Sequence, residues 1–242
     1  MATSQNTTQQ RAQARSQTTP EGEPAASEQS GIVQKLERNQ KLIGALASGL
    51  IVGVLLYLGY KQYILAPKIK QAQEEVFVAQ QYFAKDSLQL ALNGDGNYPG
   101  FLEIADRYSS TPTGELAHYY IGIIQLKQGQ YKSAIERLNQ FNTESYLISP
   151  MRLGALGNAH TELGEYAKAA EYFLKAANDH PNELTSPRFL FKAGLVLEAD
   201  GQLEKALEVL EQLQREYKTS SYGQDAAAYI GRIEGKLSQP AS

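Results

Sequence analysis

The residues best placed to do chemistry are three histidines, His118, His160 and His180. An imidazole can move a proton or hold a metal only beside a nucleophile, a carboxylate or further ligands. These three lie far apart in the chain, and His118 and His160 fall in helical stretches at positions that fill the space between helices. Satisfied structural histidines are the expectation. The chain has no cysteine, which excludes thiolate nucleophiles, thiolate metal sites and disulfides, and leaves the redox compartment undetermined. It also has no nucleophile elbow, no phosphate loop and no H-E-x-x-H zinc motif. Asn93-Gly94-Asp95-Gly96-Asn97 has the alternating oxygen donors that open a calcium loop. Tyr98, however, stands where such a loop needs glycine, and Ile104 where a bidentate Glu must close the shell. The stretch reads as a turn. The carboxylates are spread along helix surfaces beside Lys and Arg, as on a solvated face. The expectation is a protein that is not an enzyme, with no cofactor and no metal.

A chain of 242 residues can hold one or two domains, and a net charge of −3 gives it no general attraction to nucleic acid. Tryptophan is absent, but 15 tyrosines suit helix pairs that fill gaps with aromatics.

What must position these residues is a recurring pattern. Between Gly157 and Pro181, Gly157, Leu163, Gly164, Tyr166, Ala169, Phe173 and Ala176 form two helical periods split by a turn at Gly164-Glu165. Small residues fall where two helices must cross closely, bulky ones fill the space beside them, and proline cannot continue the helix. The pattern recurs 35 residues earlier as Gly122, Gly129, Tyr131, Ala134 and Leu138. It recurs 37 residues later as Gly194, Gly201, Leu203, Ala206 and Leu210. A longer echo carries Tyr108, Gly114, Ala117, Tyr120, Ile121 and Gly122 to Tyr217, Gly223, Ala226, Tyr229, Ile230 and Gly231, 109 residues on. Each unit resembles a tetratricopeptide repeat, a helix-turn-helix of about 34 residues, and self-similarity at a fixed period marks a solenoid. The resemblance implies an all-α, right-handed helical solenoid; an irregular helical bundle is the alternative.

In chain order, residues 1–34 are Gln, Thr, Ser, Ala and Glu with almost no large apolar side chain, and a disordered tail is expected. A cytoplasmic recognition tail and a solvated leader without a partner both fit. Leu42 to Tyr60 is a run of 19 uncharged residues between Lys41 and Lys61. As a helix it covers about 28 Å, close to the hydrocarbon thickness. Tyr57, Tyr60 and Tyr63 suit an interfacial belt at its end. The run starts too deep in the chain for a cleaved signal peptide, so 35–66 reads as a single uncleaved transmembrane anchor. Lys35, Arg38 and Lys41 before the run balance Lys61, Lys68 and Lys70 after it. Arg11 and Arg15 tilt the orientation towards a cytoplasmic N-terminus with the repeats outside. Ala45, Gly49 and Gly53 form a small-residue stripe that suits a partner's membrane helix or a self-dimer, or is the ordinary Gly and Ala content of membrane helices.

Residues 67–242 hold the repeats. Pro67 marks the exit from the membrane, with one helix expected from Lys68 to Leu92 and another from Pro99 to Tyr108. Regular pairs follow at Thr113–Gln128 with Tyr131–Phe141, Pro150–Leu163 with Tyr166–Asn178, and Ser186–Ala199 with Leu203–Tyr217. A last helix from Tyr222 to Leu237, with Arg232, Glu234 and Lys236 on a wet face, suits a cap. First helices build the concave face of such a solenoid, which here places Tyr119, Ile123, Asn158, Arg188, Phe191 and Leu195 in a protein-binding groove. The co-chaperone subfamily of these repeats grips a C-terminal carboxylate with Lys and Asn, then Asn, then Lys plus Arg. Arg188 and Lys192 match the last pair, whereas Tyr119, Ile123 and Ala155 break the earlier positions. The groove therefore suits an apolar or extended polypeptide, unless these residues are covered by a helix or by self-association.

The order of parts narrows the choice further. A polar tail, one span within NQKLIGALASGLIVGVLLYLGYKQYILAPK, and repeats starting straight after it resemble the YfgM-like family of bacterial inner-membrane proteins, over residues 35 to 237. The insertion NGDGNYPG and the regularity of the central repeats depart from that family. The resemblance implies a periplasmic repeat domain ancillary to the SecYEG translocon, with a periplasmic chaperone or client polypeptide as partner. The repeats alone equally permit an adaptor for envelope assembly or cell division, and a homo-oligomer is open to either.

Overall fold

The uncharged run after Lys41 forms a helix, α1 (Gln40–Tyr60), in the computed structural model, which describes residues 40–238. The chain divides into two compact units, Met1–Tyr60 and Lys61–Ser242. The tail expected over residues 1–34 lies outside the described residues. The helix exposes large apolar side chains such as Leu50 at 71% and Leu56 at 70%. Leaving such a side chain in water forfeits about 1.5–3 kcal/mol, so the surface matches hydrocarbon rather than solvent. The helical run Gly44–Ala84 contains a stretch long and apolar enough to cross a membrane, none of it buried. A methyl group added at Gly49 or Gly53 would meet nothing within 4 Å, and Ala45 is exposed.

The second unit opens with a π-helical turn, Lys61–Leu65, followed by α2 (Ala66–Ala84). Pro67 lies in the first turn of α2, where a missing N–H leaves no bond unmade. One helix was expected from Lys68 to Leu92; the structure breaks it in two. Asp86 takes a left-handed conformation at φ +57°, and the amides of Asp86 and Ser87 bond back to the carbonyls of Phe83 and Tyr82. That closure ends α2, and a short α3 (Leu88–Asn93) follows. The apolar period nonetheless runs on, because Ala91 of α3 joins the buried cluster of Ala72, Val76 and Ala79 from α2. After α3 the chain turns. Asp95 accepts from the amides of Asn97 and Tyr98 at 2.9 and 2.8 Å and from the Tyr82 hydroxyl at 2.7 Å. With its carboxylate oxygens so used, Asp95 serves the turn and holds α2 against it. The next helix, α4 (Phe101–Arg107), buries Phe101 and Ile104.

Three helix pairs come next: α5 (Pro112–Lys127) with α6 (Tyr131–Gln140), α7 (Ile148–Glu162) with α8 (Tyr166–Asn178), and α9 (Ser186–Ala199) with α10 (Leu203–Glu216). The last helix is α11 (Ser221–Leu237). Each packs chiefly on its neighbours in chain order. The recurring residues explain why. Gly129, Gly164 and Gly201 take φ of +76°, +74° and +76° at the turn inside each pair, a conformation costly for any residue with a side chain. Ala134, Ala169 and Ala206 are fully buried on the second helices. Leu138, Phe173 and Leu210 press on Gly122, Gly157 and Gly194 of the first helices so closely that an added Cβ would come within 2.6 Å in each case. The long echo is a shared helix start. Thr111 and Ser220 each accept from the amide three residues on, at Gly114 and Gly223, and each donates its hydroxyl to the carbonyl of Tyr108 or Tyr217.

Candidate protein-binding groove

First helices α5, α7 and α9 stand side by side, and their C-terminal halves line a cavity of about 610 Å³. Leu126 closes one wall, Asn158 and Glu162 supply the middle, and Lys192 and Leu195 form the other wall. Tyr131 and Tyr166, each the first residue of a second helix, reach in from the turns.

Of the six residues expected in the groove, Asn158 and Leu195 line this cavity. Arg188 is half-buried one turn before Lys192, with its guanidinium 5.8 Å from the centre of the Phe189 ring. Tyr119 and Ile123 are also half-buried, but they lie against the buried Leu138, Ala155 and Leu156. The Tyr119 ring sits 5.7 Å from Tyr120 and 6.0 Å from Phe141. Burial pushes the Tyr119 hydroxyl pKa up, against the pull of nearby Arg188. Phe191 is engaged elsewhere: its ring stands edge-on to Tyr229 at 5.0 Å and tilted to Tyr222 at 5.5 Å. Helix α11 occupies the place of the next first helix and stacks on α9, so Phe191 is a contact of the cap.

The charges in the groove are unevenly paired. Lys192 Nζ donates to Asn158 Oδ1 at 2.6 Å and lies 5.4 Å from the centre of the Phe173 ring. Burial holds the Lys192 pKa below the usual lysine range; Arg188 adds to that, and Glu162 opposes it. The Tyr131 hydroxyl donates to Glu162 Oε2 at 3.2 Å, and the carboxylate pushes the tyrosine pKa up. Tyr131, Glu162 and Lys192 were absent from the residues expected to form the groove. A signal for two of them existed in helical spacing: Glu162 falls one turn after Asn158, and Lys192 one turn after Arg188. Tyr131 enters only because the Gly129 turn folds α6 back.

The histidines stand apart from one another. His160, 7% exposed, places Nδ1 2.7 Å from Glu165 Oε2 and stacks on Tyr172. His118 accepts at Nδ1 from Arg137 at 3.1 Å; burial and then the Arg137 charge hold its pKa low. His180 takes φ +54° beside Tyr146. Among the described residues no group of three or more His, Asp or Glu side chains could hold a metal ion.

A tetratricopeptide repeat family model matches residues 155–221, and a second matches residues 116–144. The fold is a tetratricopeptide-like solenoid. A crystal structure of Podosopora anserina putative kinesin light chain nearly identical TPR-like repeats superposes with a TM-score of 0.53 at 14% identity. The match covers 67% of this chain and 84% of that one, and at this identity it concerns the fold alone. A search of curated proteins finds no match. Repeats of this kind are interaction scaffolds, generally without catalytic activity, and indicate protein partners.

Proposed function

We propose that this protein is a membrane-anchored, non-enzymatic scaffold at the bacterial inner membrane, ancillary to the Sec translocon. Its repeats lie in the periplasm and hold emerging polypeptide or a periplasmic chaperone. The observation that supports this reading most is the cavity across three first helices, in a repeat unit that begins one residue after a fully exposed apolar helix. Anchoring raises the local concentration of partners, so modest groove contacts suffice. Ala45, Gly49 and Gly53 provide the face on which a partner's membrane helix would pack.

Two measurements test it. The chain has no cysteine, so a single Ser238→Cys reports topology: a membrane-impermeant thiol reagent should label it in cells with a permeabilised outer membrane but an intact inner one. Protection there would reverse the orientation. Crosslinking followed by mild-detergent purification should then recover translocon subunits, and Gly49→Leu with Gly53→Leu should reduce that recovery. A single envelope protein recovered in their place would favour an adaptor of envelope assembly or cell division.

A further inference from the structure

Helix α11 is built and seated as a first helix. Its start at Ser220 repeats that of α5 at Thr111, and it buries Gly223, Ala226 and Ile233 against the stack. Gly231 falls where Gly122, Gly157 and Gly194 fall in the other first helices. Those three glycines are buried, each beneath Leu138, Phe173 or Leu210 of the second helix that follows it. Gly231 is exposed, and an added Cβ there would meet nothing within 4 Å. The residue before each glycine behaves in the same way: Leu156 and Ala193, like Ile121, are fully buried, whereas Ile230 is half-buried. Ala227, one turn before Gly231, is exposed as well. Glycine inside a helix is unfavourable relative to alanine, and in the other three first helices the close crossing of a second helix is what it serves. Among the described residues no second helix follows α11. Arg232 and Lys236 do not close the gap, because both turn to Glu198 of α9. Glu234 stays exposed one turn after Gly231.

We propose that α11 is a docking site for an amphipathic helix of a partner protein, which completes a fourth helix pair. The repeats themselves state what that helix must carry. Each second helix buries an Ala and, four residues on, lays a bulky apolar side chain over the glycine: Ala134 and Leu138, Ala169 and Phe173, Ala206 and Leu210. The partner helix therefore presents Ala-x-x-x-Leu or Ala-x-x-x-Phe to Ile230 and Gly231. Running antiparallel to α11, it brings the residues before its Ala towards Glu234, which favours a Lys or Arg among them. A second copy of this chain is the poorer occupant. Its helices that carry the pair are each packed on their own glycine, and freeing one would expose a buried Leu or Phe. The site lies on the last helix, apart from the cavity across α5, α7 and α9, and does not depend on what that cavity holds.

The test uses the full chain in detergent and, as probe, a fluorescent peptide copy of α8 (Tyr166–Asn178), which carries Lys168, Ala169 and Phe173. A lactam between Glu171 and Lys175, both exposed on α8, keeps the peptide helical. Fluorescence anisotropy should show weak, reversible binding, because a single helix-on-helix contact is small. The peptide with Phe173→Ala should bind about tenfold less tightly. In the protein, Gly231→Leu fills the gap; it should keep the melting temperature and lower the affinity for the unaltered peptide by about tenfold or more. Failure of the unaltered peptide to bind overturns the proposal. So does equal binding of the Phe173→Ala peptide, and that comparison stands even where the Gly231→Leu protein does not fold. Binding that survives in the folded Gly231→Leu protein puts the peptide in the micelle or on another helix, and overturns it too. A dimer of the unaltered protein that Gly231→Leu dissolves, read by sedimentation in detergent, would seat a second copy on α11 and overturn the partner helix.

Discussion

Gly194 and Gly231 occupy the same place in the repeat pattern and meet opposite surroundings. A Cβ at Gly194 would lie 2.6 Å from the fully buried Leu210, whereas one at Gly231 would meet nothing within 4 Å. In both, alanine lowers the backbone entropy cost of a helix by about 1 kcal/mol. At Gly194 the added methyl also overfills a packed contact, a penalty of about 1–3 kcal/mol. Gly194→Ala is therefore expected to destabilise by up to about 2 kcal/mol, and Gly231→Ala to stabilise by up to about 1 kcal/mol, measured by denaturant unfolding. Shifts of the same sign in both variants would show that the close helix crossing is not what glycine serves here. These contacts were readable before the structure: glycine, alanine and one bulky residue at fixed separations imply a tight crossing. Lys192 and its neutral partner were not so readable, because Asn158 belongs to another repeat, and only the stacking of α7 on α9 brings the two together.

At the scale of elements, α11 depends on a contact with α9 that the hydrophobic pattern does not announce. Glu198, almost buried on α9, accepts from Arg232 and from Lys236 Nζ, the latter at 2.7 Å, while Arg232 also covers the Tyr229 ring at 4.5 Å. Burial by itself would raise the Glu198 pKa, but bonds from Arg232 and Lys236 outweigh it and the net direction is down. A carboxyl whose folded pKa is depressed contributes stability above its unfolded value of about 4.3, and that contribution is lost as pH falls through the folded value. Protection of α11 amides against hydrogen exchange should thus weaken as pH drops below about 4.3. Glu198→Gln should cost about 1–2 kcal/mol near neutral pH, allowing for the half-exposed partners, and should flatten that pH dependence. A variant that melts like the unaltered protein at both pH values would leave the aromatic stack as the whole of the cap. The helix pairs themselves followed from glycine turns and period. Two things did not follow: the stop of α2 at Asp86, where no glycine or proline marks a helix end, and the covering of Phe191, which depends on how far the last helix continues the stack.

At the scale of the whole molecule, the buried residues among those described fall into three clusters along the chain. One holds α2 to α5 around Phe101 and Ile121, a small middle one surrounds Leu156, and a third runs from α8 to α11 around Phe173 and Leu210. In such a stack stability is a sum over neighbours, so damage at one end need not reach the other. Leu210→Ala removes a fully buried side chain, at a cost of about 2–5 kcal/mol. Hydrogen exchange should show α9, α10 and α11 losing protection while α2, α4 and α5 keep theirs. Lys192 and Leu195 belong to α9, so the groove should lose that wall in the same variant. Membrane retention through alkaline washing should be unchanged, because α1 belongs to the other compact unit. A uniform loss of protection from α2 to α11 would instead mean that the three clusters fold as one, and that the groove cannot open without the whole stack.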